Sequence, residues 1–184
     1  MSKEERDGLL YTNEVGVNSA KIGARAGSQT FAADLTKKWL RDAAVDGYEA
    51  VLVDGRALEA IAREMHAEGL CDYRLGLYFI CDAQMGARRT LGYAGRSYDE
   101  LSEQEQQQVD ELIEQIGERN SRDRERDVEP LLRPEAAPIC VLPDMSAADS
   151  ADPARPMVIC DSSAELAKDA MSLPVAQYVA SKLA

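Results

Sequence analysis

Histidine is almost missing from this chain, His66 being the only one among 184 residues. Neither a histidine-based metal site nor a Ser-His-Asp triad can be built from it, and its neighbours, all good helix formers, predict a surface position. Basic side chains are also in deficit, 21 against 33 acidic ones, for a net charge of -12 and a pI near 4.6. Such a surface repels phosphate polymers, which disfavours binding to nucleic-acid polymers and anionic membranes. No apolar run approaches the roughly 20 residues needed to cross a bilayer, and residues 1–9 are charged rather than signal-like. Cysteine pairs are missing too: Cys71, Cys81, Cys140 and Cys160 form no C-x-x-C, and three of them sit in apolar runs where a thiol acts as a small hydrophobe. These absences together predict a soluble, unsecreted protein of a reducing cytoplasm.

What is present suffices for one compact domain over 1–184, since 45% of the residues are hydrophobic. Thr12 to Ala26 reads as a helix capped by Thr12 and ended by Gly27; Ser28 then caps a second helix. In it Phe31, Leu35 and Trp39 recur at i, i+4 and i+8 and predict a core-facing stripe. Tyr48 to Val53, followed by Asp54-Gly55, has the continuous apolar character of a strand buried on both faces of a parallel sheet. Helical period returns at Leu58, Ile61, Ala62 and Met65, and Leu75 to Cys81 predicts a second buried strand, giving strand, helix, strand. Ala83 to Leu91 reads as a short basic helix. Ser97 or Ser102 starts a long polar one with Val109, Leu112, Ile113 and Ile116 as its inner stripe.

Pro130, Pro134 and Pro138 end that helix. Ile139 to Leu142 and Met157 to Cys160 are brief strand candidates, separated by residues 143–156, an Ala, Ser, Asp and Pro-rich stretch that reads as a flexible insertion. Ser172 is expected to cap a terminal helix with Pro174 in its first turn.

Chemistry concentrates in ERNSRDRERDVEPL, residues 118–131, where Arg119, Asp123 and Arg126 fall at i, i+4 and i+7 and share a helix face. Arginine's fixed fork of donors suits phosphate oxygens and charge developing in phosphoryl transfer. Alternating charges on an exposed helix also form solvated ion pairs worth a few tenths of a kcal/mol each. Both readings stay open on the residues alone.

The order DGRALEAI, LYFICDAQMGARRTL, SRDRERDVEPL, together with the earlier TNEVGVNSAKIGARAG, resembles the second half of bacterial cytidylate kinases, over about residues 12–183. The resemblance implies a doubly wound parallel sheet of the P-loop nucleoside monophosphate kinase type, here lacking the first strand and P-loop, with a lid-like helical region at 83–127. It implies phosphoryl transfer from ATP, with Mg2+, to CMP or dCMP, and thus a place in pyrimidine metabolism. By the same resemblance Arg56 and Arg126 hold the acceptor phosphate, and Arg119 and Asp123 its ribose end. Arg119 and Arg126 are then the catalytic arginines, and Arg88 and Arg89 are lid cations over the donor phosphates.

The chain departs from that pattern where the base is read: Ala57 replaces a carboxylate, Ala20 a serine and Gln29 an arginine. No G-x-x-x-x-G-K-[ST] occurs, so ordinary ATP-dependent transfer is expected to be impaired or to need a further segment. The alternative is a nonenzymatic nucleotide-sensing or assembly module. The absent central strand would leave a gap between 48–53 and 75–81, to be filled by an upstream segment, by the run 139–142, or by a strand from a partner or second copy. For 139–142 an edge hairpin is the simpler reading.

Overall fold

A computed structural model describes residues 2, 13–23, 25–55, 58–125 and 130–183. They divide into two compact units, one of residues 1–71 with 126–130 and one of 72–125 with 131–184.

The first unit is helical: α1 (Asn13–Gly23), α2 (Ala26–Val45) and α3 (Glu59–Ala67). The break between α1 and α2 falls at Arg25, whose extended backbone serves as N-cap, so Gly27 and Ser28 lie inside α2 and do not divide the helices. Thr12 lies outside the described residues. Gly47 and Gly69 end α2 and α3 at positive φ, conformations that a side chain would strain.

The predicted core stripe of α2 does not form. Phe31 is 67% and Trp39 52% exposed, whereas Thr36, one position from Leu35 and thus about 100 degrees around the helix, is buried. Two rows compete on this helix, and the winner is the one beside Lys37, whose ammonium binds Glu64 of α3 at 2.9 Å and Glu68, the residue that caps the end of α3, at 2.7 Å. The strand expected at 48–53 is also not formed: these residues are irregular and exposed, Leu52 at 81%. An apolar run becomes a strand only when its amides and carbonyls find a ladder, and none among the described residues supplies one.

The second unit is α/β, with a small, open, all-parallel sheet. Its elements are β1 (Gly76–Ile80), α4 (Ala83–Thr90), a 3-10 turn Tyr98–Glu100, α5 (Glu103–Arg124), β2 (Ile139–Val141), a second 3-10 turn Ser146–Ser150, β3 (Met157–Asp161) and α6 (Lys168–Leu183). The strand order is β1-β3-β2, with Gly76 opposite Met157 and Cys140 opposite Cys160. As the central strand, β3 buries Met157 to Cys160 completely, which is why its sequence is continuously apolar. The run 139–142 lies at the edge but runs parallel to β3, not back along it as a hairpin. A parallel return needs a crossover of a dozen or more residues, and residues 142–156 provide it. That crossover contains Ala148, which is buried in a core with Cys140, Leu142, Val158, Cys160 and Val175.

A second core joins α4 to α5 through Ala87, Leu101 and Val109, flanked by Leu112 and Ile113. Ser97 and Ser102 both act as caps, each in a reciprocal box, with Glu100 and Glu105 respectively. α6 starts at Lys168, so Pro174 sits inside it and not in its first turn. No described helix is long and apolar enough to cross a membrane.

Candidate functional site

Two clusters of the second unit carry residues singled out by sequence. The first is the last turn of α5. The 3.6-residue period sets Arg119 and Asp123 on one face, with Arg119 Nε 4.0 Å from Asp123 Oδ2. The pair is asymmetric: the Arg119 side chain is 56% exposed and that of Asp123 only 2%. The backbone carbonyl of Asp123 accepts from the Leu131 amide at 2.9 Å, which fastens the chain leaving the helix to its last turn. A buried carboxylate beside an exposed guanidinium presents a cation to solvent with a fixed anion behind it, an arrangement suited to holding a ligand's hydroxyl or phosphate oxygens. Arg56 and Arg126 lie outside the described residues.

The second cluster lies where β1 and β3 end. Ser163 bridges the two strands, its Oγ donating to Asp161 Oδ1 at 2.6 Å and accepting from the Asp82 amide at 2.7 Å. Asp82 in turn caps α4, accepting from the Met85 amide at 2.9 Å. Arg88, only 6% exposed, donates Nη2 to Glu165 Oε2 at 2.8 Å and Nη1 to the Arg96 carbonyl. Its Nε is buried without a hydrogen-bond partner. The Gly95 amide, and then Arg88, hold the Glu165 carboxyl below the usual carboxylate range. Arg89 clasps the segment after β3, donating to the Ser162 carbonyl at 2.6 Å and to the Ala164 carbonyl.

Sequence assigns Arg88 and Arg89 to donor phosphates; both guanidiniums bind internal acceptors. Sequence reading missed Ser163 and Glu165, although the Asp-Ser-Ser run 161–163 after an apolar stretch marks the carboxyl end of a strand, where open parallel sheets bind ligands. Beside this cluster a cavity of about 340 Å³ opens between Phe79, Arg89, Leu142, Ser162, Lys168 and Met171, at the small end for a ligand pocket.

Among the described residues no donor set matches the ATP and Mg2+ of the resemblance. The sequence contains no Lys-bearing glycine loop, and the described residues include no group of His, Cys, Asp and Glu able to hold a metal ion. No protein-family model, curated protein or solved structure matches the chain.

Proposed function

We propose that this chain is a nucleotide-binding α/β protein of the cytidylate-kinase-like type that binds CMP, dCMP or a related small nucleotide and does not transfer phosphate by itself. The observation that carries this reading is the Arg119 and Asp123 pair, with its carboxylate buried and its guanidinium open to solvent. The parallel strands and the order of the quoted motifs support a doubly wound, kinase-type sheet. Arg56 and Arg126 are the monophosphate-holding residues in this reading, and Arg126 with Arg119 would be catalytic only with a donor cradle supplied from elsewhere. Such cradles preorganise the donors on which transfer depends, an effect of many powers of ten in rate.

The nonenzymatic alternative gains from the internal bonding of Arg88 and Arg89, which would have to be broken before either could close over a donor. Isothermal titration with CMP and dCMP, alongside a coupled assay for ADP, tests binding and transfer together. Expected are binding, a ten- to hundredfold loss in Arg119→Ala from one charge-assisted contact of about 1.5–3 kcal/mol, and no ADP. No heat with either nucleotide at millimolar concentration overturns nucleotide binding; ADP formation overturns both the absence of transfer proposed here and the nonenzymatic alternative.

A further inference from the structure

We propose that the outer edge of β1 is a self-association surface, at which β1 of a second copy pairs antiparallel and joins two three-stranded sheets into one. β1 ends the sheet, and among the described residues no strand lies on its far side. The Gly76 amide donates to the Pro156 carbonyl at 2.7 Å and the Ile80 carbonyl accepts from the Ser162 amide at 2.9 Å. By the alternation of a strand, Gly76, Tyr78 and Ile80 therefore bond to β3, while Leu77 and Phe79 turn their amides and carbonyls to the open edge.

The two edges of the sheet are treated differently. β2 is short and lies between Pro138 and Pro143, the usual way of blunting an edge. β1 reads Gly-Leu-Tyr-Phe-Ile, with neither charge nor proline, and exposes Phe79 at 56%. An edge of that kind is a template for another strand.

Charge selects a second copy as the occupant. Full overlap of two antiparallel β1 strands places the twofold axis at Tyr78. Leu77 then lies opposite Phe79 of the partner subunit, and each exchanges both backbone hydrogen bonds with the other. In that register Arg74, whose side chain is 64% exposed and pairs with Asp72 of its own chain at 2.7 Å, stands opposite Asp82 of the partner subunit, so that the two carboxylates share its charge, and the symmetry repeats the attraction on the other side. Slipping by two residues toward the amino end sets Asp72 against Asp82 of the partner subunit, a like-charge contact, and gives up part of the ladder. Of these two registers charge favours the full overlap. The net charge of -12 on each copy opposes association, so the dimer is expected to be reversible.

Sedimentation equilibrium of the full chain over about 1–200 μM tests this. Expected is a reversible dimer that Phe79→Lys and Arg74→Glu each weaken about tenfold or more, with circular dichroism and melting unchanged. Amide exchange at Leu77 and Phe79 should slow as concentration rises. Should Phe79→Lys fail to fold, Arg74→Glu and the exchange data decide. A monomer over the whole range, a dimer indifferent to both substitutions, or exchange at Leu77 and Phe79 independent of concentration overturns the proposal.

Discussion

The two units of this chain are written in the same hydrophobic alphabet and reach different ends. In the second, Val109, Val158 and Cys160 are completely buried, whereas in the first Phe31, Trp39 and Leu52 remain more than half exposed and burial among the described residues is confined to Thr36, Ile61 and Met65. The difference is the sheet. α6 covers one face of it, and α4 and α5 fit against each other through Ala87, Leu101 and Val109. Amphipathic helices gain burial only from a complementary apolar surface. An apolar stripe on α2 is therefore a capacity for packing, and the tertiary contacts of Lys37 decide which face of that helix is used.

The sharpest way to break the comparison is to make cavities in both units. Ile159→Ala should cost about 2–5 kcal/mol, by transfer loss plus an unfilled void. Trp39→Ala should cost about 1 kcal/mol or less, since half of that side chain already meets water. Urea denaturation checks both, and equal losses would mean that α2 is packed after all. Next, Arg88→Ala should destabilise by about 2 kcal/mol, because a buried guanidinium and its ties to Glu165 and Arg96 are lost together. Lysine should not restore them, lacking the fork. Arg119→Ala should leave the melting temperature nearly unchanged. That contrast separates an arginine that holds the fold from one that faces solvent.

A smaller effect concerns acid. Arg96 first, then the Ser102 amide and hydroxyl, hold the Glu105 carboxyl down to about 2 from 4.5. A carboxyl whose folded value is depressed lends its stabilisation in full above the unfolded value and loses it as pH falls through the folded one. The second unit should therefore weaken between about pH 4.5 and 2, and Glu105→Gln should flatten that limb of a melting-temperature series.

The mildest test is chemical. All four cysteines are free thiols, but burial pushes Cys160 up to about 11 and also raises Cys140. A thiol reagent at neutral pH should label exposed Cys81 fast and partly buried Cys71 more slowly, and reach Cys140 and Cys160 only on unfolding. Rapid labelling of all four would mean that the sheet opens.

Part of the second unit is legible in the sequence for one physical reason: a strand enclosed on both sides must be apolar at every position, as the run 157–160 of β3 is. The runs at 75–81 and 139–142 also become strands, but edge ones, with Phe79, Ile139 and Val141 exposed, so the burial expected for 75–81 is not found. The run at 48–53 has the same character and forms no strand, because a ladder needs a neighbour that local composition cannot supply. Parallel rather than hairpin pairing of β2 was equally hidden, since it depends on β3 entering between two strands that precede it. Of the candidate site, the shared face of Arg119 and Asp123 follows from helical spacing alone. The internal bonding of Arg88 and Arg89 depends on Ser162, Ala164 and Glu165, which lie far along the chain.

Sequence by itself determined the apolar runs that become β1, β2 and β3, the helices α4 and α5, the acidic composition and the arginine-rich end of α5, all properties of neighbours within a turn or a strand, but not the start of α6 at Lys168 or the 3-10 turn Ser146–Ser150. Tertiary structure alone decided which face of α2 is covered, where β3 enters the sheet, which arginines are bound internally and which edge stays open. These are outcomes of competition among distant surfaces for a limited set of partners, and no local pattern encodes the winner.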